Sequence, residues 1–547
     1  MADVYLASAA ELAKEKHPRT IQKQINYGTA GFRTKADDLD FVMYRMGLLA
    51  VLRSKATRAT VGVMITASHN PEEDNGVKLI DPNGDMLEAV WEILATHLVN
   101  VADEDLVRTL QHIIFSTNLD MNVLATVFVG KDTRSSSNAL AKAVSNGVEI
   151  MGGLVQDFGL LSTPQLHYIV CCKNARGKYG EPTEEGYYKK ISSAFIKFRG
   201  NDVNRGSYVA SLRLDGANGV GALKMKTLLH YLGESLSVEI FNDGKGRLNH
   251  LCGADYVKIL QKPPEGFPLE AGVRCVSFDG DGDRVVYFYL DKGGDFHLLD
   301  GDKIATLVVS YIKELIVKCG LNVNIGLVQT AYANGSSTHY IHETLNIPVA
   351  CVSTGVKHLH HRAIQFDIGV YFEANGHGTV VFNQKTIQQI TNILDSSSYS
   401  GSQKEVAQQL LYLIDIINQT VGDAISDTLL VETILMSKQQ SIEDWDAAYT
   451  DLPSRQLKIK VRDRTLITTT DAERKCEEPP GLQNAIDELV SKFENGRAFV
   501  RPSGTEDIVR VYAEALTQDA ANMLAYEVSL KVHELAGGVG DKPQKPK

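Results

Sequence analysis

Basic residues are the minority charge in this chain. Its 56 Lys and Arg stand against 67 Asp and Glu, a formal net charge of −11. A general nucleic-acid binder needs a basic face to neutralise phosphates, so no nucleic-acid partner is expected. A local Arg/Lys cluster can still hold one small anion inside an acidic protein. Long apolar runs are also missing: none reaches the roughly 18 to 20 residues that span a bilayer, so no membrane partner is expected. The start, Met1-Ala2-Asp3-Val4-Tyr5, lacks the basic region and apolar stretch of a secretory signal. Cysteine is sparse and scattered. There are 7, only Cys171 and Cys172 adjacent, with no CxxC pair. That pattern excludes a disulfide frame or a zinc site and predicts reduced thiols in a cytoplasmic protein. The Asn-x-Ser/Thr matches at Asn334 and Asn418 then carry no glycosylation. Neither G-x-S-x-G nor the Walker A pattern is present, which removes a hydrolase nucleophile elbow and a P-loop.

What is there is a chain of 547 residues, more than one core organises, so three or four domains are expected. Strand-like apolar runs alternate with helix-period segments. The order strand, helix, strand appears at 124–129, 136–151 and 154–158. It returns at 208–214, 222–232 and 236–241, and again at 323–329, 336–345 and 349–352. Each unit favours parallel pairing with covered sheet faces, hence three α/β domains of similar plan. The C-terminal part differs. Segments 498–501 and 508–515 flank a short loop and suit antiparallel pairing. A final helix fits 519–535, capped by Thr517 or Asp519 and ended by Gly537, so a smaller α+β domain is expected. The Pro/Lys/Gly-rich tail 540–547 reads as disordered.

Four loops carry chemistry. Thr66-Ala67-Ser68-His69-Asn70-Pro71 follows a strand at 60–65, and Asn-Pro keeps the preceding residues extended, leaving Ser68 at a strand end. Lys78, beyond Asn75-Gly76, can return to the same place. Asp279-Gly280-Asp281-Gly282-Asp283-Arg284 lies between strands at 274–278 and 285–290. Its alternate carboxylates face one way in an extended chain, and three hard oxygens suit Mg²⁺. A calcium EF-hand fails, because Arg284 stands where Gly is required and Leu290 where Glu is required. Glu373-Ala374-Asn375-Gly376-His377-Gly378 is a polar cluster able to hydrogen-bond sugar hydroxyls, although a solvated turn fits it as well. Arg501-Pro502-Ser503-Gly504-Thr505-Glu506, with Arg510 beyond, joins a flexible backbone, hydroxyl donors and guanidinium groups into an anion grip. Gly28-Thr29-Ala30-Gly31-Phe32-Arg33 and Gly355-Val356-Lys357-His358 are smaller pieces that signify nothing alone.

In this order the loops resemble those of the α-D-phosphohexomutase superfamily, about one per domain, over nearly the whole chain. The segments 27–33, 355–361 and 373–378 are closer still to the eukaryotic phosphoacetylglucosamine mutase family. Other members of the superfamily more often have Ser where Asn375 stands. The resemblance implies four domains around one central cleft: 1–185 with the phosphoserine loop, 186–298 with the metal loop, 299–450 with the sugar loop, and 451–547 with the phosphate loop. Three are α/β domains with mixed sheets and the last is α+β. It implies that Ser68 carries the phosphoryl group and that Ser68, Asp279, Asp281 and Asp283 ligate one Mg²⁺. Glu373 and Asn375, with Lys357, His358 and His377, would bind the sugar. Arg501, Ser503, Gly504, Thr505 and Arg510 would hold the phosphate that is not reacting. Lys78, His69, Arg33 and Arg284 would surround the phosphate that is. Lys78 is the candidate general base and His377 the second.

The implied reaction interconverts N-acetylglucosamine 6-phosphate and 1-phosphate through a sugar 1,6-bisphosphate, which also primes the enzyme, and supplies UDP-N-acetylglucosamine synthesis. A phosphoglucomutase or phosphomannomutase, a non-catalytic phosphosugar-binding relative and a phosphoserine-forming hydrolase are the rivals. The sequence leaves monomer and dimer equally open.

Overall fold

The strand before Ser68 forms at Val61–Ile65 and is buried at every position. In the computed structural model, which describes residues 2–200, 206–503 and 507–546, this strand is the middle of a five-stranded sheet. The order is Phe32–Lys35, Asp74–Ile80, Val61–Ile65, Thr126–Lys131, Leu154–Leu160. The first two pairings are antiparallel and the last two parallel. A second sheet repeats the plan with Phe296–Leu299, Val285–Leu290, Cys275–Phe278, Ser211–Asp215 and Ser237–Phe241. It again has two antiparallel pairings followed by two parallel ones. One parallel pair in each sheet is the one read from strand–helix–strand order, with crossover helices at Ser137–Ile150 and Val220–Leu232. The antiparallel halves, which make the sheets mixed, are hairpins except at Phe32–Lys35, which pairs with Asp74–Ile80 from earlier in the chain.

By contacts the chain divides into two compact units. The first comprises residues 1–300, 375–380 and 390–443, the second 301–374, 381–389 and 444–547. In the first, the helix Asp40–Thr57 is buried from Phe41 through Lys55. It has no polar stripe, so its sequence shows no helical periodicity. It crosses Ser137–Ile150 at Gly47 and Gly147, where a Cβ on either glycine would lie 2.2 Å from a carbonyl oxygen of the other helix. Buried Arg45 donates to the carbonyls of Leu98, Val99 and Val101 at 2.8, 3.0 and 2.8 Å and pairs with Asp103 at 2.7 Å. It thereby satisfies the C-terminal end of the helix Ala89–Asn100.

The helix Ala424–Lys438 is buried over most of its length. Its Glu432 accepts from Arg274 Nε and Nη2 at 2.7 and 2.6 Å and from the Tyr208 hydroxyl at 2.9 Å, with both charged side chains almost fully buried. This ion pair fastens the helix to the second sheet.

In the second unit, strands Val349–Val352 and Ile368–Phe372 flank Ile325–Thr330 in parallel. The C-terminal sheet is antiparallel, Ser454–Lys460, Ile508–Glu514, Arg497–Pro502. The last helix, Gln518–Leu535, is capped by the Thr517 hydroxyl accepting from Ala520 N. Buried Glu514 accepts from Arg497 at 2.7 and 3.0 Å and from Gly335 N at 3.0 and 3.2 Å, tying this sheet to the loop after Ile325–Thr330.

All seven cysteines are free, and among the described residues no helix is long and apolar enough to cross a membrane. Asn334 and Asn418 are buried and hydrogen-bonded, so both glycosylation matches serve packing. Glu432→Gln leaves Arg274 buried without its counter-charge. It is expected to lower the unfolding free energy by about 3–5 kcal/mol, read from the denaturant midpoint of the first transition; an unchanged midpoint contradicts the role assigned to the pair.

Candidate active site

Each chemistry loop of the first two sheets leaves the central parallel strand and returns as its antiparallel neighbour. Ser68 lies between Val61–Ile65 and Asp74–Ile80, and the three aspartates lie between Cys275–Phe278 and Val285–Leu290. This is the carboxyl end of a parallel strand, where α/β sheets gather ligands.

Ser68 is fully buried and sits at φ +51°, a left-handed conformation that non-glycine residues rarely adopt. A clamp holds it there. Arg134 Nη2 donates to the carbonyls of Ser68 and Asn70 at 3.2 and 2.8 Å, and Asn249 Nδ2 donates to the same two at 2.8 and 3.0 Å. Arg134 is paired with buried Asp132, whose carboxylate also accepts from the hydroxyls of Thr66 and Ser137 at 2.8 Å each. Ser68 Oγ is thereby aimed at Asp279, donating to Oδ2 at 2.6 Å. Gly280 is required where the two loops touch, since a Cβ there would lie 2.5 Å from the Ser68 carbonyl oxygen.

Asp279, Asp281 and Asp283 are buried, with one ligand atom of each within 4.8 Å of the others. Asp279 Oδ1 accepts from the backbone N of Asp283 and Arg284 at 3.0 and 3.1 Å. Asp281 Oδ2 accepts from the Thr163 hydroxyl at 2.6 Å. Lys78 Nζ donates to Asp281 and Asp283 at 3.3 and 3.1 Å. Asp281 Oδ1 and Asp283 Oδ1 are buried without a hydrogen-bond partner. Two orphaned hard oxygens beside Asp279 and a serine hydroxyl are the donor set Mg²⁺ takes, so these residues fit the ion. Burial and the two neighbouring aspartates push Asp279 well above the ordinary carboxylate range. Burial raises Asp283 too, but Lys78, His377 and Arg284 hold it well below.

The remaining predicted catalytic residues line the same place. Arg284 Nη1 donates to Asp255 at 2.7 Å, and its Nε lies 4.0 and 3.8 Å from Asp279 and Asp283. Arg33 feels the charges of all three aspartates and of Arg284. His69 Nδ1 is 3.4 Å from Ser68 Oγ and its Nε2 3.6 Å from Asp255. Burial, then the charge of Arg284, pushes His69 down to about 3, so its imidazole is neutral at physiological pH. His377 Nδ1 is 2.7 Å from the Asp283 carbonyl. A carbonyl only accepts, so Nδ1 carries a proton and donates it.

The other predicted residues, apart from Asn375, occupy the second unit. Lys357 and His358 open the helix Val356–Ala363, and Glu373 follows Ile368–Phe372. Asn375 belongs with His377, whose backbone N it accepts at 3.0 Å. Arg501 and Arg510 are direct cross-strand partners, and Arg510 also faces Lys458. Like charges side by side across a sheet are unfavourable unless an anion joins them. Ser503 is buried, with its N bonded to the Ile508 carbonyl at 2.8 Å. Gly504 and Thr505, and Glu506 after them, lie outside the described residues.

Sequence reading missed Asp132, Arg134, Thr163, Asn249, Asp255 and Lys458. The run Asp132-Thr133-Arg134 directly after an apolar strand was a usable signal, as was the alternation that puts Lys458 outward. Asn249 and Asp255 are named only by tertiary contact.

The mixed sheets and the serine set against three carboxylates define a phosphohexomutase. The Phosphoglucomutase/phosphomannomutase profiles agree, alpha/beta/alpha domain I matching residues 46–98 and 92–178 and the C-terminal domain 458–531. Between them, the Phosphoacetylglucosamine mutase AMG1 profiles match with domain II over 180–286 and domain III over 300–440. The phosphoacetylglucosamine mutase of Sus scrofa is 57% identical over 521 residues, 95% of this chain and 96% of that protein. Two solved structures of the Aspergillus fumigatus N-acetylphosphoglucosamine mutase are each 46% identical. One, a variant with glucose 1,6-bisphosphate, has a TM-score of 0.93 and covers 98% of this chain and 100% of its own. The other, with GlcNAc-6P and magnesium, has a TM-score of 0.91 and covers 97% and 99%. The chain belongs to the phosphoacetylglucosamine mutase family.

Mg²⁺ is expected to raise the melting temperature. At free ion one hundred times Kd the stabilisation is about 2.7 kcal/mol. Asp283→Asn removes the shift. Because a cation must displace the proton that burial favours on Asp279, the shift grows with rising pH. A shift that survives Asp283→Asn, or shrinks with rising pH, contradicts the assignment.

Proposed function

We infer that this protein is a phosphoacetylglucosamine mutase, interconverting N-acetylglucosamine 6-phosphate and 1-phosphate through phosphorylated Ser68 and a sugar 1,6-bisphosphate. The observation that carries this reading is Ser68 Oγ held 2.6 Å from Asp279, at the edge of a buried three-carboxylate cluster. Phosphoryl transfer asks mainly for alignment and charge neutralisation, and both are built here.

The clamp on the Ser68 and Asn70 carbonyls fixes the direction from which the seryl phosphate is presented. Lys78, Arg33 and Arg284 place three cationic side chains beside that phosphate. Asp279, Asp281, Asp283 and Ser68 would hold Mg²⁺, which when bound neutralises phosphoryl oxygens. The sugar hydroxyl attacks phosphorus as the bond to Ser68 Oγ breaks. His377 Nε2 takes the hydroxyl proton, because its Nδ1–H is committed to the Asp283 carbonyl. Lys78, donating to two carboxylates, is better suited to holding charge than to accepting a proton. The proton taken by His377 passes to solvent, and solvent returns one to the Ser68 oxygen as it leaves phosphorus, so the step is proton-neutral. The bisphosphate turns over, and Ser68 takes back the other phosphate.

Arg501, Arg510 and Ser503, with Gly504 and Thr505, hold the phosphate that is not reacting. Either phosphate occupies that place in turn, which suits a general anion grip. Glu373 and Asn375, with Lys357 and His358, select the sugar. The chain carries these residues on four domains, 1–185, 186–298, 299–450 and 451–547. It works in the cytoplasm, where its seven free thiols stay reduced.

Phosphorus NMR of N-acetylglucosamine 6-phosphate with Mg²⁺ and a trace of sugar 1,6-bisphosphate tests the reading. The 1-phosphate is expected to appear, faster than from glucose 6-phosphate. Ser68→Ala is expected to lower the rate by at least about 10³-fold, since the covalent route is gone. Faster turnover of glucose 6-phosphate overturns the substrate, and full activity of Ser68→Ala overturns the mechanism.

A further inference from the structure

The hairpin joining Thr468–Thr470 to Lys475–Glu478 turns through three successive left-handed residues, Asp471, Ala472 and Glu473, at φ +53°, +54° and +69°. Asp tolerates this region; Ala and Glu rarely enter it. Such a backbone persists where its surroundings enforce it, and it is a reason to look for function. Its consequence is the placement of one carboxylate. Glu473 Oε1 accepts from Arg501 Nε at 2.9 Å. Its Oε2 accepts from the backbone N and the hydroxyl of Thr354 at 3.0 and 2.5 Å. The Glu473 and Arg501 side chains are only 15% and 20% exposed. Thr354 directly precedes Gly355, the residue that caps the helix bearing Lys357 and His358.

Glu473 grips Arg501 at Nε, and the Tyr332 hydroxyl also meets the guanidinium; its terminal nitrogens form the fork that matches phosphate oxygens. Without a counter-charge behind it, Arg501 would be turned away by Arg510, its cross-strand partner. Glu473 supplies that counter-charge on the far edge of the guanidinium.

We propose that Glu473 is a positioning residue for the non-reacting phosphate: it holds the Arg501 fork in its binding direction and ties it to the Thr354 turn at the head of the Lys357-His358 helix. The proposal rests on Arg501 being part of the phosphate grip. It separates orientation of the arginine from its charge, which remains when Glu473 is removed.

Glu473→Ala, Arg501→Ala and the double variant are compared in the full-length protein, by steady-state kinetics and by competitive inhibition with inorganic phosphate. Glu473→Ala is expected to raise KM and the phosphate inhibition constant about tenfold while kcat stays within about twofold. Glu473→Gln, which keeps an acceptor oxygen, recovers part of the loss. The double variant is no worse than Arg501→Ala by more than about twofold, because both act through one guanidinium. If Arg501→Ala raises both constants and Glu473→Ala raises neither, Glu473 does not position the arginine, while the reading of Arg501 stands. If Arg501→Ala also changes neither, the phosphate grip is elsewhere and the proposal falls with it. A Glu473→Ala protein with lowered melting temperature and kcat but unchanged KM has lost a merely structural residue, which overturns the proposal.

Discussion

Asp279, Asp281 and Asp283 bring a ligand atom each within 4.8 Å of one another in a place from which water is excluded. Two such charges about 4 Å apart repel by about 4 kcal/mol even at an effective dielectric of 20. No hydrophobic packing removes that cost. It has to be met by cations, hydrogen-bond donors or protons, and much of the surrounding structure does so. Lys78 reaches across from the phosphoserine sheet to two of the carboxylates, Thr163 donates to one, and two backbone amides turn toward Asp279. Arg284 lies beside the cluster and is itself steadied by Asp255. Two carboxylate oxygens are still left over, and they mark where Mg²⁺ belongs. The concentration of negative charge that makes the protein locally unstable is thus the same feature that gives it a metal and, through the metal, a phosphoryl group.

The two sheets solve the matching geometric problem in the same way. In each, a loop leaves the central parallel strand and returns antiparallel, so its residues project beyond the strand ends. One such loop gives the nucleophile and the other its metal site, and they meet where Gly280 passes the Ser68 carbonyl. The strained φ of Ser68 is maintained from both sides, by Arg134 of its own sheet and Asn249 from the chain between the strands of the other. Loss of either donor therefore disturbs the aim of the serine as well as the joining of the loops.

How much of this was legible in the sequence depends on whether neighbours in space are neighbours in the chain. The parallel strands, their crossover helices and the capped last helix could be read because periodicity and turn chemistry are local. The strands Val285–Leu290, Val349–Val352 and Ile368–Phe372 formed with the expected bounds. The helix Asp40–Thr57 escaped because a helix buried on all sides has no stripe, and the hairpin strand carrying Lys78 escaped because its polar residues hide strand character. Among the site residues, Ser68 and the three aspartates announce themselves by spacing, and the structure brings Lys78, His69, Arg33, Arg284 and His377 to them. Asn249, Asp255 and Glu473 do not, since nothing local distinguishes a polar side chain that will meet a carbonyl or a guanidinium many residues away.

The central claim is that the phosphate on Ser68 passes directly to the sugar. Protein carrying radiolabelled phosphate on Ser68, mixed with unlabelled N-acetylglucosamine 6-phosphate and Mg²⁺ for a single turnover, tests it without relying on steady-state rates. The account predicts that the label leaves the protein and appears first in the sugar 1,6-bisphosphate, with little inorganic phosphate. Label that is released as inorganic phosphate, or that stays on the protein while sugar is isomerised, would contradict it.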